Sequence, residues 1–205
     1  MHLLLIGYSG HAYVVFETAK ATGYQISGYF DQEEKTFNPF NLLYYGSEQN
    51  LDNSHLFTLH EWFVAIGDNL IRRKIIVSLS ENYEKPPVNI IHPQAIVSKS
   101  AQLGVGILMT AGVIIHPLVN IGTGVVCNTG SIIEHECILG DFSFVGPGAV
   151  LCGNVTVGEN TFIGANSVIK QGITIGKNCV IGAGSVVIRD VPDHAKVAGN
   201  PSKII

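Results

Sequence analysis

The chain reads as a small α/β domain followed by an all-β triangular parallel β-helix. Two observations predict this. From Ile91 to Val187 every sixth residue is apolar without a break: Ile91, Val97, Leu103, Met109, Ile115, Ile121, Cys127, Ile133, Leu139, Val145, Leu151, Val157, Ile163, Ile169, Ile175, Ile181 and Val187. Only 46% of the chain is apolar, so chance is a poor explanation, and a fixed short period is the mark of a solenoid. Before that repeat, short apolar runs alternate with helical patterns, the order of a small parallel sheet.

The repeat has internal structure. Glycine follows the apolar position at 104, 122, 140, 158 and 176, and again at 146, 164 and 182. Within each set the step is eighteen, so the unit is one coil of three hexads, with three short strands and three corners. Glycine at these corners is expected to supply a positive φ. The residue two before each apolar one is often small, as at Ala95, Ala101, Ser131, Cys137, Ser143, Ala149, Thr161, Ser167, Cys179 and Ser185. Small and branched side chains then alternate inward with the strand period, and coils stack about 4.8 Å apart. A purely structural solenoid with an ice-binding face would carry a regular threonine ladder, and none is present.

Three segments are expected: an α/β domain at 1–87, the β-helix at 88–188 and a tail at 189–205. A chain of 205 residues has room for two small domains. The net charge of −4 does not suggest a nucleic-acid partner. The apolar opening Leu3–Ile6 is too short for a signal peptide or a membrane span, so a cytoplasmic protein is expected. Cys127, Cys137, Cys152 and Cys179 fall in hexad positions without a Cys-x-x-Cys pair and read as small, reduced core residues.

In the first domain, Leu3–Ile6 is a strand ending in Gly7-Tyr8-Ser9-Gly10-His11. A helix follows, then a second strand over Ile26–Phe30 closed by Asp31. This is the order of a nucleotide-binding βαβ unit. The glycine spacing is not G-x-G-x-x-G, which weakens a dinucleotide reading but leaves a phosphate or sugar at the helix start. Residues 32–61 give no clear element. Trp62–Ile66 is a buried strand ending in Gly67-Asp68-Asn69, and Asp68 or Asn69 is placed to cap a helix over Leu70–Ser80. Arg72, Arg73 and Lys74 are expected on its solvated face. Lys85-Pro86-Pro87 is the domain joint.

Inside the repeat one stretch carries chemistry: Asn128-Thr129, then Ile133-Glu134-His135-Glu136-Cys137. With Ile133 inward, His135 and Glu136 occupy an exposed corner. An imidazole whose other N–H is held by a carboxylate is a general base with a fixed tautomer. Gly153 stands eighteen residues after His135, beside it on the next coil. Its amide can stabilise negative charge developing on a carbonyl. Glu134 reads as a structural corner residue.

These motifs, with Phe30-Asp31, Ile91-His92-Pro93-Gln94-Ala95, Cys152-Gly153-Asn154 and Val197-Ala198-Gly199-Asn200-Pro201, resemble one family over nearly the whole chain. It is the bacterial nucleotide-sugar acetyltransferases of the left-handed β-helix (hexapeptide-repeat) superfamily, of the UDP-4-amino-sugar N-acetyltransferase type. Sialic acid O-acetyltransferases are close cousins. The resemblance implies a left-handed prism and a homotrimer with acetyl-CoA held between neighbouring prisms. Gly10 and His11 would meet phosphate and sugar, and Asp31, Gly67 and Asp68 the base or ribose. His135 would take a proton from the sugar amine, Glu136 would orient it, and Asn128 would position the reactants. Gly153 and Ala183 would offer amides to the cofactor. Lys170, Lys177 and Lys203 would meet CoA phosphates or simply water. Two departures stand out: Phe144, where the family often has histidine, and Gln32, where a second acid is common. The superfamily's carbonic anhydrase branch holds zinc with histidines five apart. No two of His92, His116 and His135 have that spacing, so no metal is expected. O-acetylation of a sugar hydroxyl and a non-catalytic sugar-nucleotide-binding module are the alternative readings.

Overall fold

The computed structural model describes residues 1–50 and 53–205. The first domain contains β1 (His2–Ile6), α1 (Gly10–Ala21), β2 (Gln25–Phe30), α2 (Ser54–Leu59), β3 (Glu61–Val64) and α3 (Asn69–Tyr83). The three strands form a parallel sheet in the order β2-β1-β3. β1 is central, so both its faces are covered and the whole Leu3–Ile6 run is buried. Leu3 and Leu5 pack with α1 residues Ala12, Val15 and Ala19. Leu4 and Ile6 pack with Phe57 of α2 and with Ile76 and Leu79 of α3. Part of the segment that sequence patterns left unread returns beside β2: Tyr29 N–H donates to Leu43 O (2.8 Å) and Tyr45 N–H to Tyr29 O (3.0 Å).

From Ile90 onward the chain winds into a three-sided prism of two-residue strands. The first face runs from Ile90–Ile91 to Lys196–Ala198, the second from Ile96–Val97 to Val186–Val187, and the third from Gln102–Leu103 to Thr174–Ile175. The register is eighteen residues per coil, as in Val126↔Phe144↔Phe162. From Met109 to Val187 the periodic apolar positions are all buried, and Ser131, Ser143, Thr161, Ser167 and Ser185 are buried with them. The solenoid extends past the sequence repeat. Lys196–Val197 pairs with Val180–Ile181 through a step of sixteen, and Lys203–Ile204 then closes the face antiparallel.

The corner glycines do a different job from the one expected. Those at 104, 122, 140, 158, 176, 146, 164 and 182 do not have positive φ. They are needed because the next coil's backbone passes over them. A Cβ on Gly140 would lie 2.7 Å from Glu159 N, and one on Gly158 would lie 2.5 Å from Lys177 N. The positive φ falls two residues later, at Gly106, Gly124, Gly148 and Gly184, and at Asn160, Asn166 and Asn178. Asparagine reaches that region at lower cost than most side chains.

The first domain sits on the first face of the prism. Ile90, Leu108, Val126 and Phe144 point outward from that face and are buried in one cluster with α1. The α3 side is fastened by Arg72, which is fully buried rather than solvated. Its Nε donates to Gly124 O (2.8 Å), Nη1 to Ile66 O (3.1 Å) and Gly67 O (3.0 Å), and Nη2 to Asn69 Oδ1 (2.9 Å) and Phe142 O (3.0 Å). All five guanidinium donors are thus used, two of them across the joint. Burial lowers its pKa to about 10, so the side chain stays charged at neutral pH. The sequence hid this because Arg72 is flanked by Ile71 and Arg73, both solvent-accessible, and its two partners across the joint are backbone carbonyls far along the chain.

Candidate active site

The turns between faces stack into three edges. The edge between faces two and three carries His135, Glu136 and Gly153. Glu136 accepts a hydrogen bond from His135 Nδ1 at 3.0 Å, and the two side chains are about half exposed (50% and 58%). Glu136 stands in the left-handed region (φ +61°), a turn position that Asn154 and Gly172 fill on the next coils. Holding a glutamate there costs roughly 1–2 kcal/mol, and the strain places its carboxylate against the imidazole. Gly153 lies directly under the ring: a Cβ there would collide with Cε1 and Nε2 of His135. The Gly153 N–H donates to nothing among the described residues. One coil earlier, His116 Nε2 sits 3.5 Å from Glu134 Oε1, a second imidazole–carboxylate pair on this edge.

Asn128 belongs to a different edge, between faces one and two. Its Oδ1 accepts from Thr129 N–H (2.8 Å), and Thr110 Oγ1 lies 3.4 Å away. Ala183 is exposed on this same edge three coils higher, with its amide free among the described residues. A groove of about 520 Å3 runs between this edge and α1, lined by Tyr13, Val14, Glu17, Thr110 and Thr129. Within one protomer, then, His135 and Gly153 meet, whereas Asn128 and Ala183 stand across face two from them.

The first domain holds the remaining residues. A cleft of about 280 Å3 opens where β1, β2 and β3 end, lined by Gly7, Ser9, Asp31, Gln32, Lys35, Ile66 and Ile71. Ligands of open α/β sheets bind at such carboxyl ends. Asp31 is already engaged: Oδ2 accepts from Tyr8 N–H (2.9 Å) and Oδ1 from Gln32 N–H (2.8 Å), with Lys35 Nζ at 3.0 Å. Asp68 caps α3, accepting from Ile71 N–H at 2.9 Å. Gly10 begins α1 and faces open space. His11 is largely buried, and its Nε2 has no partner. Burial first, and the Arg72 charge second, push its pKa down to about 4, so it is neutral.

A second cleft, of about 530 Å3, lies between the start of α3 and the upper first face, lined by Gly67, Asp68, Leu70, Asn160, Phe162 and Val180. Sequence reasoning did not single out Asn160 or Phe162. Their only signal was an amide at a turn position and an aromatic at an outward strand position. A nucleophilic role for Cys127 or Cys137 is disfavoured, because burial raises the Cys127 thiol to about 12 and the Cys137 thiol to about 11. Lys170, Lys177 and Lys203 are exposed. Among the described residues no cluster of three or more His, Cys, Asp or Glu is placed to hold a metal, and no helix is long and apolar enough to cross a membrane.

A triangular prism of eighteen-residue coils is the fold of the left-handed β-helix acyltransferases, and the likeness to solved structures places the chain among them. The model of the PglD N-terminal domain matches residues 2–79, and that of the hexapeptide repeat of succinyl-transferase matches residues 154–189. The chain is 36% identical to PerB of Caulobacter crescentus, solved with CoA and GDP-perosamine (TM-score 0.92, covering 100% of this chain and 97% of that one). It is 35% identical to the acetyltransferase domain of PglB from Neisseria gonorrhoeae (TM-score 0.91, 100% and 99%). That domain solved with acetyl coenzyme A gives 32% identity (TM-score 0.88, 100% and 98%). The protein belongs to the nucleotide-sugar N-acetyltransferases, enzymes that take their acetyl group from acetyl-CoA.

Proposed function

We propose that the protein acetylates the amine of a nucleotide-linked amino sugar by direct transfer from acetyl-CoA, with His135 as general base. The observation that carries this is the His135–Glu136 pair on an exposed edge beside Gly153, whose N–H has no acceptor among the described residues. Glu136 holds Nδ1, which leaves Nε2 to take a proton from the attacking amine. The amine lone pair forms the new C–N bond at the thioester carbonyl. The oxyanion of the tetrahedral intermediate meets the Gly153 N–H. Collapse breaks the C–S bond, and the imidazolium returns its proton to the departing sulfur as CoA thiol. No covalent acyl-enzyme is needed when both substrates are held together.

The arrangement favours a homotrimer. Face one carries the first domain, and His135 stands on the opposite edge, so one protomer cannot present both to one sugar. Face two displays an apolar ladder, Ile96, Ile114, Ile132, Val150, Val168 and Val186, partly open to solvent. Face three displays mostly polar side chains: Gln102, Asn120, Ile138, Thr156 and Thr174. Three copies burying face two around a threefold axis bring the His135 edge of one protomer to the Asn128–Ala183 edge of the next. The His135–Gly153 pair of one protomer then faces Asn128 and Ala183 of the next.

PerB was solved with GDP-perosamine, and the sequence resemblance points to UDP-linked 4-amino sugars. A thiol-release assay over UDP- and GDP-linked amino sugars, with sialic acid as a hydroxyl acceptor, tests the reading. CoA thiol forming only with the amines is the expected result. Release with sialic acid and none of the amines would make the enzyme an O-acetyltransferase.

A further inference from the structure

We propose that Leu118 is a subunit plug: it seats in the groove between α1 and the edge of faces one and two on a second copy of this chain, and so fixes how neighbouring prisms register along their length. The proposal rests on the threefold arrangement proposed above and adds the contact that sets its register. Leu118 is 63% exposed and stands in the left-handed region at φ +62°. A bulky side chain reaches that region only at a cost, and the same turn on later coils of this edge is filled by Asn154 and Gly172, which suit it better. A large apolar side chain held both strained and in water is explained by a surface that covers it.

The fold already contains one such plug with its cover in place. Phe142 takes the matching turn position on the edge between faces three and one, at φ +59°, and is only 6% exposed. The chain's own α3 covers it: Ile76 packs in the same cluster, and the Arg73 guanidinium lies 5.7 Å from the ring centroid. Leu118 stands on the edge between faces two and three, opposite the face that carries the first domain, and belongs to no buried cluster of its own chain among the described residues.

The groove beside α1, of about 520 Å3, offers Val14, Ala21, Phe40 and Ala111 as apolar walls. Its height along the prism matches. Gly130 N–H donates to Ala111 O (3.1 Å) and Glu136 N–H to Pro117 O (3.1 Å), so Ala111 lies one coil below the Asn128–Gly130 turn and Leu118 one coil below Glu136. A threefold rotation about an axis along the prism leaves every residue at its own height. The rotation that brings His135 to the partner's Asn128 therefore brings Leu118 level with the partner's Ala111. Leu118 lies on the face-three side of its edge and the groove on the face-one side of the other, both away from the axis. A further coil down, Lys99 comes level with the partner's His92 at the groove, where the partner's Glu17 supplies the opposite charge. Neither Lys99 nor Glu17 has an ion-pair partner among the described residues. Because α1 begins at Gly10, beside the strand-end cleft, the same contact ties that cleft of one protomer to the His135 edge of the next.

The test cross-links the full chain carrying both Leu118→Cys and Val14→Cys with a short bismaleimide, beside each single variant and the wild type, in which only Cys152 is partly accessible. Denaturing gels should show covalent dimers and trimers in the double variant and none in the other three. Leu118→Asn, which suits the left-handed turn, and Leu118→Met, which keeps an apolar plug, are then compared by sedimentation equilibrium. Leu118→Asn should raise the trimer dissociation constant by about tenfold or more, and Leu118→Met should leave it within about threefold of the wild type. A trimeric double variant that does not cross-link would overturn the proposal, as would Leu118→Asn holding its trimer as tightly as the wild type. Wild-type protein that sediments as a monomer yet releases CoA thiol with an amino-sugar nucleotide would also overturn it while leaving the acetylation reading standing. Cross-linked trimers without any thiol release would sink that reading and leave the plug.

Discussion

His135 and Gly153 face each other across one coil step, and the absence of a side chain on Gly153 is what leaves the imidazole room to sit beside Glu136. The neighbour that a Cβ would strike is an exposed side chain rather than backbone, so it can swing away. Gly153→Ala should therefore fold normally but displace the ring from its carboxylate. We expect turnover to fall about a hundredfold, the scale of a 1 Å misplacement, with Tm nearly unchanged. Wild-type turnover in this variant would show that the ring position does not matter.

Glu136 works against its own backbone. Glu136→Asn replaces it with a residue better suited to φ +61° and removes the partner of Nδ1. The variant should be as stable as the wild type or more so, by up to roughly 1 kcal/mol, and yet slower. Denaturant unfolding read beside kcat checks both halves, and a loss of stability together with full activity contradicts the assignment.

Arg72 should matter for architecture. Arg72→Met leaves the carbonyls of Gly124 and Phe142 buried without their donor, at about 3 kcal/mol or more. Arg72→Lys should recover little, because an ammonium cannot reproduce the planar five-donor fork. Equilibrium unfolding gives the magnitude. Faster proteolysis within residues 84–89 would report loosening of the joint, and two variants as stable as the wild type would deny the residue that role.

His11 supplies a pH dependence. Its pKa is about 4 in the folded chain against an ordinary value of 6.5. Between those values the unfolded chain binds more protons, so stability is full above pH 6.5 and is lost as pH falls toward 4. The loss amounts to roughly 3 kcal/mol at the bottom of that window. His11→Gln should flatten the curve there. A wild type and variant with parallel curves from pH 7 to 4 would show that His11 is not held neutral.

Much of this was legible because a solenoid makes sequence distance and spatial position proportional. The row from Ile91 to Val187 gave the prism, and the eighteen-residue step gave the nearness of His135 and Gly153. What failed was local inference about residues with distant partners. The corner glycines were read for φ when the cause is the backbone of the following coil, as Gly158 beneath Lys177 shows. Arg72 looked solvated because its acceptors on the prism lie 52 and 70 residues away. Asn128 and Ala183 lie on a different edge of the protomer from His135, so they join it only if, as the resemblance implies, the site forms between neighbouring prisms.

The central claim is that the imidazole on the open edge removes the amine's proton. It is tested most directly by single-turnover acetyl transfer in His135→Asn with both substrates saturating. The rate should fall by about a hundredfold or more, with CoA affinity intact. A variant that transfers acetyl within twofold of the wild-type rate would contradict the account.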